Sequence, residues 1–217
     1  MSFSVFPGFF CLKIIAIITK KAETYQMSTE IELKAHIEDI EVLRLLLLEK
    51  AQYAGAFEKD DAYWQPEGNH TSLKGSSSGL RIRKEKRTLP DGQEENLTLA
   101  TTKEKEVKNG IEVNKEREFE IRPDARYFED YLSSLGLRST FSKQKKGWLF
   151  SFGELNIELL EVKNLGPFIE LEIVTDFTSE DAITKRKEQL LDFLDSIGIK
   201  REAIESRFYS EMLAEKK

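Results

Sequence analysis

A chain of 217 residues is long enough for one domain with a sizeable core, and its composition, 40% hydrophobic and 33% charged, is globular rather than disordered. The net charge of −6 argues against a general nucleic-acid binder, because neutralising phosphates requires a basic surface. The one cysteine, Cys11, excludes an intrachain disulfide and a multi-thiolate metal site, which fits a reducing, cytoplasmic location.

The first 26 residues differ in composition from the rest of the chain. Residues 3–18 are mostly apolar, but the run is interrupted by a proline, a glycine and a lysine, and it is shorter than the ~20 residues that span a membrane. It matches the signal-peptide pattern only weakly. We therefore expect translation to begin at Met27, with residues 1–26 an apolar extension from a misassigned start and residues 27–217 a single domain.

The first predicted strand covers residues 30–37. Its two-residue period places Glu30, Glu32, Lys34 and His36 on one face and apolar side chains on the other. Such a charged row faces solvent in an open sheet, or it lines the lumen of a closed barrel.

The rest of the chain is predicted to contain helices and further antiparallel strands, from the period of its apolar residues and its turn signals. Helices are expected over residues 38–54 (ending near Gly55), from Pro123 to Gly136, from Ser179 to about Ile197, and over 201–215. Strands are expected over residues 57–64, 80–88, 97–105, 112–121, 141–150, 155–162 and 168–174, with a loop over 65–79 and a hairpin turn at Asn109-Gly110. Because the helices must cover the apolar strand faces, the charged faces should point away from them.

Charged rows recur on these strands. The acidic residues are Glu30, Glu32, Glu118, Glu120, Glu170 and Glu172, and the basic residues are Lys34, Arg81, Arg83, Lys103, Lys143 and Lys145. Buried together, they would need partners, and a polyphosphate with divalent cations would satisfy both signs: carboxylates hold Mg²⁺ or Mn²⁺, while lysine and arginine bind phosphate oxygens. Solvated faces with structural ion pairs are the alternative.

A series of motifs carries a resemblance to a known family. In chain order they are Glu30-Ile31-Glu32-Leu33-Lys34, Lys59-Asp60-Asp61-Ala62-Tyr63-Trp64, Leu80-Arg81-Ile82-Arg83, Thr101-Thr102-Lys103, Arg117-Glu118-Phe119-Glu120, Lys143-Gln144-Lys145 and Asn164 to Glu172. The series, from Thr29 to Leu213, resembles the CYTH family, the triphosphate tunnel metalloenzymes. Its strand with Asp61 and Tyr63, its 165–168 loop and its 206–213 tail are most similar to the class IV adenylyl cyclase branch.

The resemblance implies an α+β fold, a closed antiparallel eight-stranded β-barrel with helices packed outside. It implies catalytic roles for Glu30, Glu32 and Lys34, phosphate binding by the six basic residues, and Mg²⁺ or Mn²⁺ held by the six acidic residues. Two positions depart from the family pattern. Leu160 stands where the family has an aspartate, for which Glu158 or Glu161 could substitute, and Lys143-Gln144-Lys145 replaces Lys-x-Arg, losing the bidentate guanidinium.

The activity expected from the resemblance is class IV adenylyl cyclase-like, the conversion of ATP to cyclic AMP and pyrophosphate. The alternatives are a triphosphatase acting on tripolyphosphate, thiamine triphosphate or a nucleotide, and a non-catalytic polyphosphate-binding module. An RNA 5′-triphosphatase is disfavoured by the acidic net charge. The partner is thus a small triphosphate such as ATP or polyphosphate, with no nucleic acid and no membrane, and a homodimer is left open.

Overall fold

The computed structural model describes residues 26–67, 80–108, 111–122, 124–175 and 179–216, and within these residues it has eight strands and four α-helices. The strands are β1 (Gln26–His36), β2 (Gln52–Pro66), β3 (Leu80–Thr88), β4 (Glu94–Lys108), β5 (Ile111–Glu120), β6 (Leu137–Phe152), β7 (Leu155–Val162) and β8 (Gly166–Thr175). The helices are α1 (Ile40–Lys50), α2 (Ala125–Ser134), α3 (Glu180–Ser196) and α4 (Tyr209–Glu215), with a 3-10 helix at Arg201–Ala203. None of the described helices is long and apolar enough to cross a membrane.

The eight strands form one closed antiparallel barrel in the order β1-β5-β4-β3-β2-β6-β7-β8. Strand β1 completes the closure, because Ile31 lies opposite Val113 of β5 on one side and opposite Ile173 of β8 on the other. A closed sheet has no free edge and separates an inner face from an outer face. The α+β barrel with external helices that the family resemblance implies is therefore confirmed.

The apolar strand faces point outward and pack beneath the helices. The main core joins β1, β7 and β8 to α1 and α3, and includes Ile31, Leu33, Leu47, Ile157, Leu159, Leu171, Leu190 and Leu194. A smaller core joins α2 to β2 and β3 through Trp64, Ile82 and Leu132. Because alternate residues of a strand point to opposite faces, the charged rows point into the lumen.

Helix α1 is shorter than the predicted 38–54. It begins at Ile40, two residues after the predicted start, because Asp39 caps it: the Asp39 carboxylate accepts two backbone N–H groups at 3.0 Å. It ends at Lys50, since the backbone of the next residue, Ala51, is already extended. Gly55 lies inside β2, at an irregularity of the pairing with β6; its φ is +123°, and a Cβ there would be 2.3 Å from the Thr88 carbonyl oxygen. Strand pairing therefore overrides the helical pattern of these residues.

The predicted continuous helix over residues 201–215 is wrong. After the 3-10 helix the chain is extended, and Ile204 forms an antiparallel bridge with Ala35 of β1. The backbone N–H of Glu205 donates to the Lys34 carbonyl oxygen at 2.9 Å. The backbone groups that a continuous helix would use are thus bonded to β1 instead, and α4 begins only after this segment.

The ends of α2 and α3 agree with the predictions. Ser179 accepts the Ala182 N–H at 3.4 Å to cap α3, and Gly136 follows α2 with a φ of +79°. Other predictions lie outside the described residues: most of the N-terminal extension (1–25), most of the loop with His70 (68–79), the Asn109-Gly110 turn and Pro123.

Candidate functional site

A cavity of about 320 Å³ lies inside the barrel and is lined mainly by charged side chains. All of the residues predicted for the site line it except Glu120. The lining members are Glu30, Glu32, Lys34, Arg81, Arg83, Lys103, Glu118, Lys143, Lys145, Glu170 and Glu172. Glu120 pairs with Arg122 at 2.6 Å, and we therefore leave it out of the proposed metal site.

Three carboxylates from β1 and β8 form a compact cluster. Glu30, Glu32 and Glu172 each offer an oxygen, and these oxygens lie within 4.8 Å of one another. The strands dictate this arrangement, because Glu30 and Glu32 are two residues apart on one face and Glu32 lies opposite Glu172 in the sheet register. Oxygen donors at this spacing suit a hard divalent cation. We call these three residues the carboxylate cluster.

The carboxylate cluster has perturbed acidity. Burial raises the pKa of Glu30 to about 8, although the ammonium of Lys103 opposes the rise. Burial, together with the neighbouring charge of Glu32, raises the pKa of Glu172 to about 7. Both shifts have the same cause, since negative charges are gathered where water cannot fully solvate them. A bound cation would relieve this repulsion.

Lys103 is the cation nearest to the carboxylate cluster. Its Nζ lies 2.9 Å from Glu30, 3.4 Å from Glu32 and 2.6 Å from Glu116. Burial opposes the charge of Lys103, but these carboxylates, Glu116 foremost, raise its pKa well above the usual value. In turn, although burial acts to raise it, Lys103 lowers the pKa of Glu116 to about 2. Lys103 thus binds carboxylates in this structure.

Two other lysines of the lumen are also paired with acids. Lys34 contacts Glu112, and Lys145 lies 2.7 Å from Glu170 and 3.3 Å from Glu158. Although burial opposes it, the charge of Glu170 raises the pKa of Lys145. These ammonium groups are therefore held in place by carboxylates, and the predicted metal ligand Glu170 serves as one of those partners.

The two predicted arginines are oriented by different groups. Asp61, fully buried, binds Arg83 through two hydrogen bonds of 2.7 and 3.0 Å, and it also lies 3.3 Å from Lys143. Burial acts to raise the pKa of Asp61, but Arg83 and Lys143 hold it well below its usual range. Arg81 donates to Thr101 at 3.0 Å and more weakly to Glu118 at 3.5 Å. The forked contact fixes the Arg83 guanidinium rigidly.

Beside α4, the lumen is filled by uncharged side chains. Leu160 and Phe168 are fully buried there, and Phe168 meets the ring of Tyr209 edge-on at a centroid distance of 5.1 Å. The buried members of this apolar cluster are Phe57, Leu160, Val162, Phe168, Tyr209 and Met212. The leucine that replaces the family's aspartate is therefore a packing residue in this chain.

Glu158, rather than Glu161, is the acid that β7 supplies to the lumen. Glu158 contacts Lys59 and Lys145. Burial acts to raise the pKa of Glu158, but these two lysines hold it below the usual value. Glu161 lies on the outer face, 3.7 Å from Lys146. Glu158 thus holds lysines in this structure and is not a member of the carboxylate cluster.

Several lumen residues were missing from the predicted site set. They are Lys59, Tyr63, Glu85, Arg87, Leu99, Glu112, Glu116, Glu158, Phe208, Tyr209 and Ser210. Extending the two-residue period along each strand would have found those on strands; for example, Glu116 and Glu112 continue the row of Glu118. Tyr209 has no such signal, because it enters the lumen from a helix.

A larger concavity of about 680 Å³ lies mainly against the outward side of β2, β3, β4 and β6. Its charged and polar side chains bind each other: Lys163 donates to Gln144 at 2.7 Å, and Gln144 donates to Asp60 at 3.2 Å. It does not contain the carboxylate cluster. The lumen is therefore the better candidate for a site.

Solved structures share this fold. PH1819 from Pyrococcus horikoshii OT3 is 26% identical, with a TM-score of 0.73, covering 87% of this chain and 99% of its own. A candidate adenylate cyclase from Vibrio parahaemolyticus is 19% identical, with a TM-score of 0.67 and coverage of 87% and 99%. The Hippeastrum protein HpAC1, a candidate adenylyl cyclase with a dominant triphosphatase activity, is 17% identical, with a TM-score of 0.57 and coverage of 88% and 95%. The last two are similar to this chain in fold alone.

No curated protein matches the chain. The family model of the CYTH domain, by contrast, matches residues 28–209, which extend from β1 to the first residue of α4. The matched range contains all of the barrel strands except the first two residues of β1, and every cavity-lining residue except Ser210. The chain therefore belongs to the CYTH domain family.

Proposed function

We propose that this protein is a metal-dependent enzyme that acts on a triphosphate held in the barrel lumen. The observation that carries the proposal is the carboxylate cluster, which opens into the same cavity as the predicted phosphate-binding residues. Those basic residues are Lys34, Arg81, Arg83, Lys103, Lys143 and Lys145. A triphosphate with a divalent cation complements both sets, since carboxylate oxygens suit Mg²⁺ or Mn²⁺ and ammonium and guanidinium groups suit phosphate oxygens.

The donor set fits a magnesium or manganese ion. Glu30, Glu32 and Glu172 provide only oxygen atoms, within a spacing that one ion can bridge. A cation held there would neutralise phosphate charge and lower the pKa of a hydroxyl group or water molecule at the phosphorus. The Lys103 ammonium binds Glu30 and Glu32 in this structure. Once a metal ion bound those carboxylates, Lys103 could turn towards phosphate oxygens.

The basic residues would hold the phosphate chain and stabilise the charge that develops on it. Arg83 is fixed by Asp61, and Lys145 by Glu170, so neither needs to be ordered when a ligand enters. Preorganised cations of this kind stabilise a leaving phosphate more effectively than mobile ones do. The expected catalytic roles of Glu30, Glu32 and Lys34 are part of this proposal.

We favour cyclisation of ATP as the reaction. The 3′-hydroxyl oxygen attacks the α-phosphorus, the bond to the bridging oxygen breaks, and pyrophosphate leaves as the hydroxyl proton is released. The support is the convergence of the segments similar to the class IV adenylyl cyclase branch: Lys143 lies 3.3 Å from Asp61, and its Nζ is 5.2 Å from the ring centroid of Tyr209, which contacts Phe168.

Hydrolysis of a triphosphate is the second candidate, and the size and lining of the cavity favour it. About 320 Å³ is at the lower end of the range for ligand pockets, roughly 300–1,000 Å³. Its uncharged lining residues are Tyr63, Leu99, Phe208, Tyr209 and Ser210. A ligand that is mostly phosphate, such as tripolyphosphate, suits this lining better than one with a large base. Water would then attack the terminal phosphorus and orthophosphate would leave.

The test is an assay with resolved products. Purified protein is incubated with Mg²⁺ or Mn²⁺ and, separately, with ATP and tripolyphosphate, and the products are separated by chromatography. Cyclic AMP with pyrophosphate supports the cyclase, and orthophosphate supports the triphosphatase. No product from either compound would overturn the enzymatic proposal and favour a polyphosphate-binding module.

A further inference from the structure

Tyr209, the first residue of α4, brings a phenol group into the lumen from a helix, whereas the other tyrosine of the cavity, Tyr63, comes from β2. The Tyr209 side chain is 7% exposed and lines the cavity. The ring is held against Phe168, and Met212 of the same helix packs in the same apolar cluster. The position of the ring is therefore fixed by packing, independently of any ligand.

Three lysines surround this ring. Their Nζ atoms lie 5.2 Å (Lys143), 5.7 Å (Lys34) and 5.9 Å (Lys145) from the ring centroid. They come from two strands, β1 and β6, so the phenol group lies where the ammonium groups of two strands converge. Three positive charges around one point form a natural binding place for a phosphoryl group.

The Tyr209 hydroxyl makes no hydrogen bond of normal geometry within the described residues, although it is buried. One oxygen of the nearby Glu170 carboxylate, Oε1, is in the same condition. Buried polar atoms nearly always have partners, so an unsatisfied hydroxyl in a charged cavity indicates a partner that comes from a ligand. Burial, and after it the charge of the Glu170 carboxylate and a contact with it, raise the pKa of Tyr209 well above its usual value. The hydroxyl therefore stays protonated and can donate, either to Glu170 or to a ligand.

The apolar cluster limits how far a ligand can extend past Tyr209. Leu160 and Phe168 are both fully buried, and neither lines the cavity. A phosphate chain that enters the lumen must therefore end at Tyr209, at the end of the cavity next to α4. The carboxylate cluster would meet a phosphoryl group farther along the chain.

We propose that the Tyr209 hydroxyl donates a hydrogen bond to the terminal phosphoryl group of the triphosphate, alongside Lys34, Lys143 and Lys145. This inference rests on the proposed function, because it names the residue that fixes one end of that ligand. Tyr209 is then a binding residue that sets the direction of the phosphate chain: the terminal phosphoryl group faces α4, and the rest of the substrate extends away from it.

The test compares Tyr209→Phe with wild-type protein. Phenylalanine keeps the ring that packs on Phe168 and removes only the hydroxyl. Binding of tripolyphosphate is measured by isothermal titration calorimetry, and binding of Mn²⁺ alone is measured in parallel. We expect the affinity for tripolyphosphate to fall about tenfold, the loss of one hydrogen bond to a charged group, with Mn²⁺ affinity unchanged.

A matched control is Tyr131→Phe, the same chemical change on α2, where the tyrosine is 59% exposed; it should bind tripolyphosphate as wild type does. A crystal structure of wild-type protein with tripolyphosphate gives a second measure, with a phosphate oxygen expected about 2.8 Å from the Tyr209 hydroxyl. If wild type fails to bind tripolyphosphate, the proposed function falls and this inference with it. If wild type binds and Tyr209→Phe binds equally well, or if the hydroxyl in the crystal contacts only Glu170, this inference alone is overturned.

Discussion

The lumen contains two charged regions that differ in how their charge is balanced. In the carboxylate cluster, acids lie next to acids, and the pKa values of Glu30 and Glu172 rise to about 8 and about 7. The basic region consists of Lys34, Arg81, Arg83, Lys143 and Lys145. Each of these ammonium or guanidinium groups lies next to an acid, as Arg83 does next to Asp61 and Lys145 next to Glu170. The first region needs an added positive charge, whereas the second is nearly neutral already.

This difference indicates an order of events at the site. Binding of a cation to the carboxylate cluster is favoured, because the cation relieves repulsion that is already present between the carboxylates. A phosphate that binds the basic region competes with carboxylates for the ammonium and guanidinium groups. It binds more tightly if a metal ion already holds some of those carboxylates. We therefore expect metal and triphosphate to bind more tightly together than separately.

The largest expected effect comes from removing a member of the carboxylate cluster. We expect Glu30→Ala, Glu32→Ala and Glu172→Ala each to lower metal-dependent turnover by about 100-fold or more, because several kcal/mol of charge stabilisation would be lost. Turnover of ATP and tripolyphosphate with Mn²⁺, measured beside circular dichroism of each variant, checks this. Full activity in all three folded variants would contradict the assignment of the cluster.

The next effect concerns stability in the basic region. Asp61→Asn keeps the shape of the side chain but leaves Arg83 and Lys143 beside a neutral partner in a buried place. Removing one partner of a buried ion pair lowers the free energy of unfolding by about 3–5 kcal/mol. Urea denaturation measures this loss.

An exposed pair serves as the control for that measurement. Asp195→Asn breaks the contact between Asp195 and Arg201, which is 2.7 Å long but about half exposed on both sides. Solvent already screens this pair, so a much smaller change in stability is expected. Equal losses of unfolding free energy for the two variants would mean that burial of Asp61 does not determine how much its ion pairs stabilise the protein.

A smaller effect is expected for one phosphate-binding lysine. Lys143→Ala removes one cation of the basic region and should weaken tripolyphosphate binding by roughly 10- to 100-fold, the value of a hydrogen bond to a charged group. The affinity for Mn²⁺ alone should stay the same, since Lys143 is paired with Asp61 and not with the carboxylate cluster. Calorimetric titrations with each ligand separate the two regions. A parallel loss of Mn²⁺ affinity would show that they are coupled.

The smallest effect is expected for Glu120→Gln. Glu120 shares its strand face with Glu118, but it binds Arg122 and does not line the cavity. Turnover should therefore stay within about twofold of wild type, as for surface substitutions in general. A loss comparable to that of Glu172→Ala would bring Glu120 back into the metal site.

The sequence could predict most of the lining because it follows from the two-residue period of the strands, whereas the closed barrel was expected only from the family resemblance. Glu30 and Glu32 share a face whatever the strand pairs with. That Glu172 completes their cluster depends on the register between β1 and β8, and no local pattern contains this information. The two-residue period wrongly predicted Glu120 as a lining residue. The period specifies which face of a strand a residue lies on, but not how far along the barrel the cavity extends.

The C-terminal segment was beyond sequence reasoning for a different reason. Residues 201–215 have helical composition, yet the bridge between Ile204 and Ala35 draws the backbone into an extended form. That bridge is a contact between distant parts of the chain, and it positions Tyr209 in the lumen. Local propensity cannot anticipate such a tertiary override.

The most direct test of the carboxylate cluster is anomalous diffraction from crystals of wild-type protein grown with Mn²⁺ and tripolyphosphate. We predict an anomalous peak about 2.1 Å from carboxylate oxygens of Glu30, Glu32 and Glu172, with the phosphate chain extending from the ion towards the lysines. A manganese peak elsewhere in the protein, with the cluster still bound to Lys103, would contradict the account.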